Sequence, residues 1–111
     1  MKQSLRQPYK QFFGTVANQH RLDIIEALQQ KPLNVTLLSK KTGCNQTTIS
    51  HNLRRLEHCG FVFAQQSGRE RTYSLNKKTI QPLLTLMHKH MNYYCRRTIH
   101  EHKTNCQGHA L

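Results

Sequence analysis

Acidic side chains are scarce in this chain. Its 111 residues carry only five, Asp23, Glu26, Glu57, Glu70 and Glu101, against seventeen lysines and arginines. Only Asp23 and Glu26 are close in sequence, on a stretch rich in Leu and Ile. That gives little basis for a carboxylate pair doing acid–base work or for a two-metal carboxylate site. Tryptophan is absent, so four Phe and four Tyr supply the bulky core or contact residues. No apolar run approaches the roughly 20 residues that span a bilayer. Residues 1–10 are polar and basic and lack the apolar centre of a signal peptide. The four cysteines, Cys44, Cys59, Cys95 and Cys106, include no CxxC pair. There is no nucleophile–base–acid set, no glycine-rich phosphate loop and no closed catalytic metal motif. The chain therefore reads as soluble and cytoplasmic, without a membrane partner and not as an enzyme. In such a chain, spaced cysteines are usually buried thiols and less often ligands or redox sensors.

What is abundant is positive charge. The formal net charge is +12 and the isoelectric point is near 10.1. A charge this positive points to a polyanion, whether DNA, RNA or an anionic membrane, or else to a basic protein with no dedicated partner. The hydrophobic share of 36% is low but enough for one small helical core, more so if a partner chain adds buried surface.

Neither repeats nor low-complexity segments occur, and the apolar spacing predicts a run of short helices. Pro8 breaks the polar start, and a first helix over residues 9–18 carries Tyr9, Phe12, Phe13 and Val16. A second, over residues 19–30, has Leu22, Ile24, Ile25 and Leu28 on one face and stops before Pro32. Residues 33–41 form a short third helix with Val35, Leu37 and Leu38 available for burial. Thr42-Gly43-Cys44 is a tight turn. Asn45 caps a fourth helix that runs to about His58, with Ile49, Leu53 and Leu56 as its apolar stripe. Gly60 ends it. Phe61-Val62-Phe63-Ala64 and Arg71-Thr72-Tyr73-Ser74-Leu75 read as two strands around a turn over residues 65–70, a hairpin with a basic tip. Thr79 is placed to cap a long last helix to about His102, with Pro82 in its first turn. Its stripe of Ile80, Leu83, Leu84, Met87, Met91, Tyr94 and Thr98 is more than one small domain can easily cover. That implies packing against a second copy of the chain. Residues 1–102 thus form one DNA-binding and dimerisation domain, and residues 103–111 a frayed polar tail.

The order helix, helix, helix–turn–helix, hairpin, helix is mainly α with a small β-hairpin. It matches a winged helix-turn-helix domain that dimerises through its terminal helices. The sequence also resembles the ArsR/SmtB-type repressors over about residues 12–95. The resemblance is carried by Val16-Ala17-Asn18-Gln19-His20-Arg21-Leu22, by Gln46-Thr47-Thr48-Ile49-Ser50-His51-Asn52-Leu53-Arg54-Arg55-Leu56, and by Gly60-Phe61-Val62. It continues at Gly68-Arg69 and Tyr73-Ser74-Leu75. It implies a homodimer that binds double-stranded DNA at a promoter and releases it on an inducer.

On the fourth helix, Gln46, Thr47, Thr48, Ser50 and His51 lie near the N-terminus, where side chains meet base edges. Arg54 and Arg55 lie a turn later, better placed for phosphates, and Arg69 and Arg71 at the hairpin tip can reach the adjacent backbone. The bland alternative for each is an ordinary solvated residue. Lys40 and Lys41 are a phosphate patch on the bracing helix or a solvated face, at even weight. Cys44 and Cys59 read as packed thiols.

Five of the eight histidines lie at or after His88. Imidazole and thiolate are preferred ligands of zinc and neighbouring metals. The resemblance places a metal-sensing pair on this helix at His88 and His90. The second pair departs from the family pattern, because its positions fall on Glu101 and Thr104, and Thr104 is not a credible ligand. His100 and His102 flank Glu101, and His102 with Cys106 has i, i+4 spacing. The candidate donors for zinc or another divalent transition metal are therefore His88, His90, His100, Glu101, His102 and Cys106. The alternative is a polar helix surface with no ligand. The rival functions are a ligand-independent winged-helix regulator, and a metal- or thiol-binding protein that uses its winged domain for protein contacts.

Overall fold

Three asparagines start three of the helices. Asn18, Asn34 and Asn45 are extended residues whose side-chain oxygens accept from the backbone N–H of Arg21 (3.1 Å), Leu37 (2.8 Å) and Thr48 (2.8 Å). Each satisfies a donor that the first helical turn cannot pair internally. The computed structural model describes residues 2–95, with side chains from Arg6 onward. Its elements are α1 (Lys2–Val16), α2 (Gln19–Leu28), β1 (Leu33–Asn34), α3 (Val35–Thr42), α4 (Gln46–His58), β2 (Val62–Ser67), β3 (Glu70–Leu75) and α5 (Ile80–Tyr94). They fall into two compact units that divide between Asn76 and Lys77.

In the first unit, α3, a three-residue turn and α4 make the helix-turn-helix. Gly43 takes the left-handed conformation (φ 81°) that ends α3, a region where a Cβ is strained. The far end of α4 is closed by a Schellman pattern. Phe61 N donates to Leu56 O (2.9 Å), Gly60 N donates to Glu57 O (3.1 Å), and Gly60 has φ 75°. The chain turns there directly into β2. The sheet has the order β1-β3-β2, antiparallel throughout, with Leu33 opposite Tyr73 and Val62 opposite Leu75.

Several boundaries differ from the sequence expectation. Helix α1 starts before Pro8 and runs through it. Leu33 and Asn34 are not the first turn of the third helix but an edge strand. The partner they pair with, β3, is 38 residues away in sequence, as Asn34↔Thr72 shows, and local periodicity carries no sign of it. The hairpin strands reach Ser67 and Glu70, so the loop is only Gly68-Arg69, with Gly68 left-handed (φ 64°). Leu22 and Leu37 are exposed rather than buried. Thr79 stands at the N-cap position of α5, but its side chain makes no capping bond there. The expected continuation of the last helix to residue 102 and the polar tail lie outside the described residues.

The core of the first unit is what the stripe on α4 predicts. Ile49, Leu53 and Leu56 are fully buried, with Ile24, Ile25 and Leu28 of α2, Leu38 of α3, Phe61 just before β2, and Val62 and Leu75 of the sheet. Phe12 brings α1 onto this core, its ring 5.2 Å from that of Phe61. Leu53→Ala removes a side chain with no exposed surface from the centre of the stripe. The expected loss is about 2–5 kcal/mol, read as a lower urea midpoint at unchanged m-value.

Candidate nucleic-acid interface

Helix α4 has one face fixed and one face free. On the free face, Gln46, Thr47, Ser50, His51 and Arg54 are exposed, and their spacing of one, three and four residues keeps them on one side of the helix. The fixed face carries Asn52 among the leucines, only 5% exposed. Asn52 donates from Nδ2 to Thr48 O (2.9 Å), and its Oδ1 accepts from Arg21 (3.3 Å).

Arg21 reaches α4 from α2 and also donates to the carbonyls of Thr15 (2.7 Å) and Gly14 (3.4 Å) at the end of α1. Burial, and then the neighbouring Arg55 guanidinium, hold the Arg21 pKa below the usual arginine range, opposed by Cys59. The buried Thr15 hydroxyl donates to Gln11 O (2.9 Å) and lies 3.3 Å from Cys59 Sγ.

Two of the nine expected DNA-contact residues depart from the free face of the helix. Thr48 is half-buried and its N–H is held by the Asn45 cap. Arg55 is half-buried on the side of Arg21, with a buried Nε that lacks a hydrogen-bond partner. At the wing, Arg69 is in the two-residue loop and exposed. Arg71 is not at the tip: it sits opposite Gln66, one pair further down the hairpin than Ser67 and Glu70. Its guanidinium donates to the Tyr73 hydroxyl (3.0 Å), which raises the Arg71 pKa, and lies 3.6 Å from the Glu57 carboxylate. Arg71 thus joins the wing to the last turn of α4. Lys41 is exposed but donates to Gln30 Oε1 (3.3 Å), which leaves Lys40 the freer cation of the bracing helix.

The residues the sequence reading passed over are Arg21, Asn52, Thr15 and Glu57. Asn52 was findable: it sits three residues after Ile49 and beside Leu53, on the buried side of the stripe, where an amide needs partners.

His88 and His90 are exposed on α5. Two positions apart, they project about 200° from each other around the helix axis, so one helix cannot turn both onto one ion. The His90 ring instead lies 5.0 Å from that of Tyr94. Among the described residues no three potential ligands gather, so these do not by themselves fit a zinc ion. His100, Glu101, His102 and Cys106 lie outside the described residues.

Comparison with known proteins bears on this geometry. The model of the family described as bacterial regulatory protein, arsR family, matches residues 18–63, from the α2 cap into β2. The HTH-type transcriptional regulator NmtR of Mycobacterium tuberculosis is 38% identical over 69 residues, 62% of this chain and 58% of that protein. Rv0081 of the same organism, an uncharacterized HTH-type transcriptional regulator, is 32% identical over 80 residues, 71% of this chain and 70% of its own. The chain spans less than two thirds of NmtR, and about a third (32%) of the regulator Rv0324. Among solved structures, that of Rv0081 superposes with a TM-score of 0.78 at 26% identity, over 86% of this chain and 96% of the other. The homodimeric winged helix-turn-helix DNA-binding domain Mb0332 of Mycobacterium bovis gives 0.77 at 27%, over 86% and 89%.

The Arg21 network carries its own prediction. Arg21→Ala leaves the nearly buried Asn52 Oδ1 without its donor, and should lower unfolding stability by about 2 kcal/mol. Arg21→Lys keeps the charge but not the forked donor set, and should recover less than half of that loss in the same denaturant titration.

Proposed function

This chain belongs to the ArsR family of bacterial regulatory proteins, and we propose that it works as a homodimeric transcriptional regulator that reads double-stranded DNA with α4. The observation that carries this reading is the free face of α4. Its exposed side chains from Gln46 to Arg54 are neutral or basic, while the opposite face is fixed by apolar burial and by Asn52. A helix of this kind fits the major groove. Gln46 can pair with adenine, Thr47 can meet a thymine methyl, and Ser50 and His51 can reach base edges or phosphates. Arg54 and the wing-tip Arg69 suit phosphates, with Arg54 a further turn along the helix and Arg69 on the wing. Thr48 and Arg55 are the weaker members of the set, because both are half-buried. Arg71 serves chiefly to hold the wing against α4.

The dimer part of the reading rests on apolar surface that the single chain leaves open. On α5, Leu86 (64%), Tyr93 (72%) and Tyr94 (78%) are exposed, and on α1 so are Tyr9 and Phe13. Apolar side chains grouped on one helix mark a protein contact more often than solvent. The homodimeric state of Mb0332 supports the same assignment.

Repression and release by an inducer complete the proposal, as the family resemblance implies. A ligand that favours an arrangement in which the two reading helices no longer match successive major grooves lowers occupancy.

Operator selection from random duplexes, followed by gel-shift titration, tests the DNA reading. The double variant His51→Ala, Arg54→Ala should lose preference for the selected duplex while unfolding like the parent. Arg69→Ala should weaken all duplexes alike and reduce the slope of log K against log salt by about 1. Selective binding that survived the double variant would show that α4 is not the reader. Sedimentation should give a dimer, shifted toward monomer by Leu86→Glu with Tyr94→Glu.

A further inference from the structure

A thiol and an imidazole meet directly in front of the reading helix. Cys44 Sγ lies 3.2 Å from His20 Nδ1, which joins the helix-turn-helix turn to the first turn of α2. Both peptide groups of Cys44 are held. Its N–H donates to Thr42 Oγ1 (3.3 Å), and its carbonyl accepts from Ser39 Oγ. The thiol therefore occupies a fixed place, half-buried, with an exposed imidazole against it. Cys59 differs: its sulfur faces the Thr15 hydroxyl, which is no base at neutral pH, and its charged neighbour is the Arg21 guanidinium, which cannot take a proton. The residue after Cys44 is the N-cap of α4, and His20 lines a groove of about 470 Å³ together with Thr47 and His51 of the reading face.

We propose that Cys44 and His20 form a thiol-modification site that takes low-molecular-weight disulfides, and that the resulting adduct denies α4 to DNA. His20 Nδ1 accepts the Cys44 S–H proton. The sulfur attacks one sulfur of the disulfide, a Cys44–S–S–R bond forms, and the R–S–S–R bond breaks. The departing thiolate takes the proton from His20 and leaves as a free thiol. Cys44 is oxidised, the leaving sulfur is reduced, and no other reactant is needed. The adduct projects from the residue before the cap, beside Gln46 and Thr47. A carboxylate-bearing adduct also sets negative charge where phosphates would lie. The consequence for DNA rests on the function proposed above; the chemistry of the thiol does not.

The test uses the full reduced chain and oxidised glutathione, with adduct formation at each cysteine followed by peptide mass spectrometry. Cys44 should react about tenfold faster than Cys59 or Cys95. His20→Gln should slow Cys44 by a similar factor and leave the Cys59 rate unchanged, which also reports that the fold is intact. Equal rates at all cysteines, or no effect of His20→Gln on Cys44, would overturn the site. If His20→Gln unfolds the protein, the Cys44 rate relative to Cys59 in the parent decides alone. In gel shifts on a selected duplex, the parent should lose binding on glutathionylation and regain it on reduction, while Cys44→Ser should bind throughout. A glutathionylated parent that binds as well as the reduced one overturns the occlusion. If the reduced parent binds no duplex, the DNA reading fails instead, and the occlusion falls with it. The labelling rates still judge the site.

Discussion

The Arg21 guanidinium holds the last carbonyls of α1 and the only buried amide of α4 at once. Three helices meet at that group, because Arg21 itself belongs to α2 and its N–H is the one that Asn18 caps. Apolar burial alone would press α4 against α2, but burial is not directional. A row of Ile49, Leu53 and Leu56 could slide or roll with small loss. The Asn52 amide resists this: its Nδ2 bond to Thr48 O lies within α4 and moves with it, but its nearly buried Oδ1 would lose the Arg21 donor, at about 1–3 kcal/mol for the unmet group. The polar contact thus fixes the rotation of α4 about its axis, and that rotation decides which five side chains look outward.

The remaining constraints act along the helix rather than around it. Asn45 fixes where α4 begins, and the Schellman closure at Leu56, Glu57, Gly60 and Phe61 fixes where it ends. The chain then has no slack before β2. The wing is tied back by Arg71, whose contacts reach Tyr73 on its own strand and Glu57 on α4. An exposed ion pair of this kind adds little to stability. Its use is to orient the hairpin, so that Arg69 stands at a set distance from the reading face.

Much of this is legible in the sequence. The stripe on α4, the Asn45 cap, Gly43 and Gly60 are local signals, each readable within a few residues, and the helix-turn-helix follows from them. The readings that failed needed distant partners. Leu33 and Asn34 look helical because Val35 and Leu38 follow them, yet β3 recruits them as an edge. Arg71 reads as a hairpin-tip cation because the strands look shorter than they are; only pairing through Ser67 and Glu70 moves it away from the tip. The contact of Cys44 with His20 is likewise invisible locally, since α2 supplies the imidazole from 24 residues away. In the site, exposed residues were legible and anchoring residues were not. An exposed position is set by its own helix, whereas an anchor is defined by what lies across from it.

Charge and sequence reading then divide between different residues. A net charge of +12 attracts any duplex, whatever its sequence. Affinity from that source grows with every lysine and does nothing to choose a site. Two of the five acids stand close to the reader, and both are turned to internal use: Glu57 faces Arg71, and Glu70 accepts from Asn34 Nδ2 at 2.7 Å. The Glu57 charge is opposed by Arg71, whereas Glu70 bonds a neutral amide and keeps its full charge on the wing. In the function proposed above, discrimination falls to Gln46, Thr47, Ser50 and His51 of the free face, whose hydrogen bonds and methyl contacts depend on which base edge they meet. Such contacts tolerate little misplacement. A long-range field works from a loosely held surface, but base reading needs the fixed rotation that Asn52 and Arg21 impose on α4.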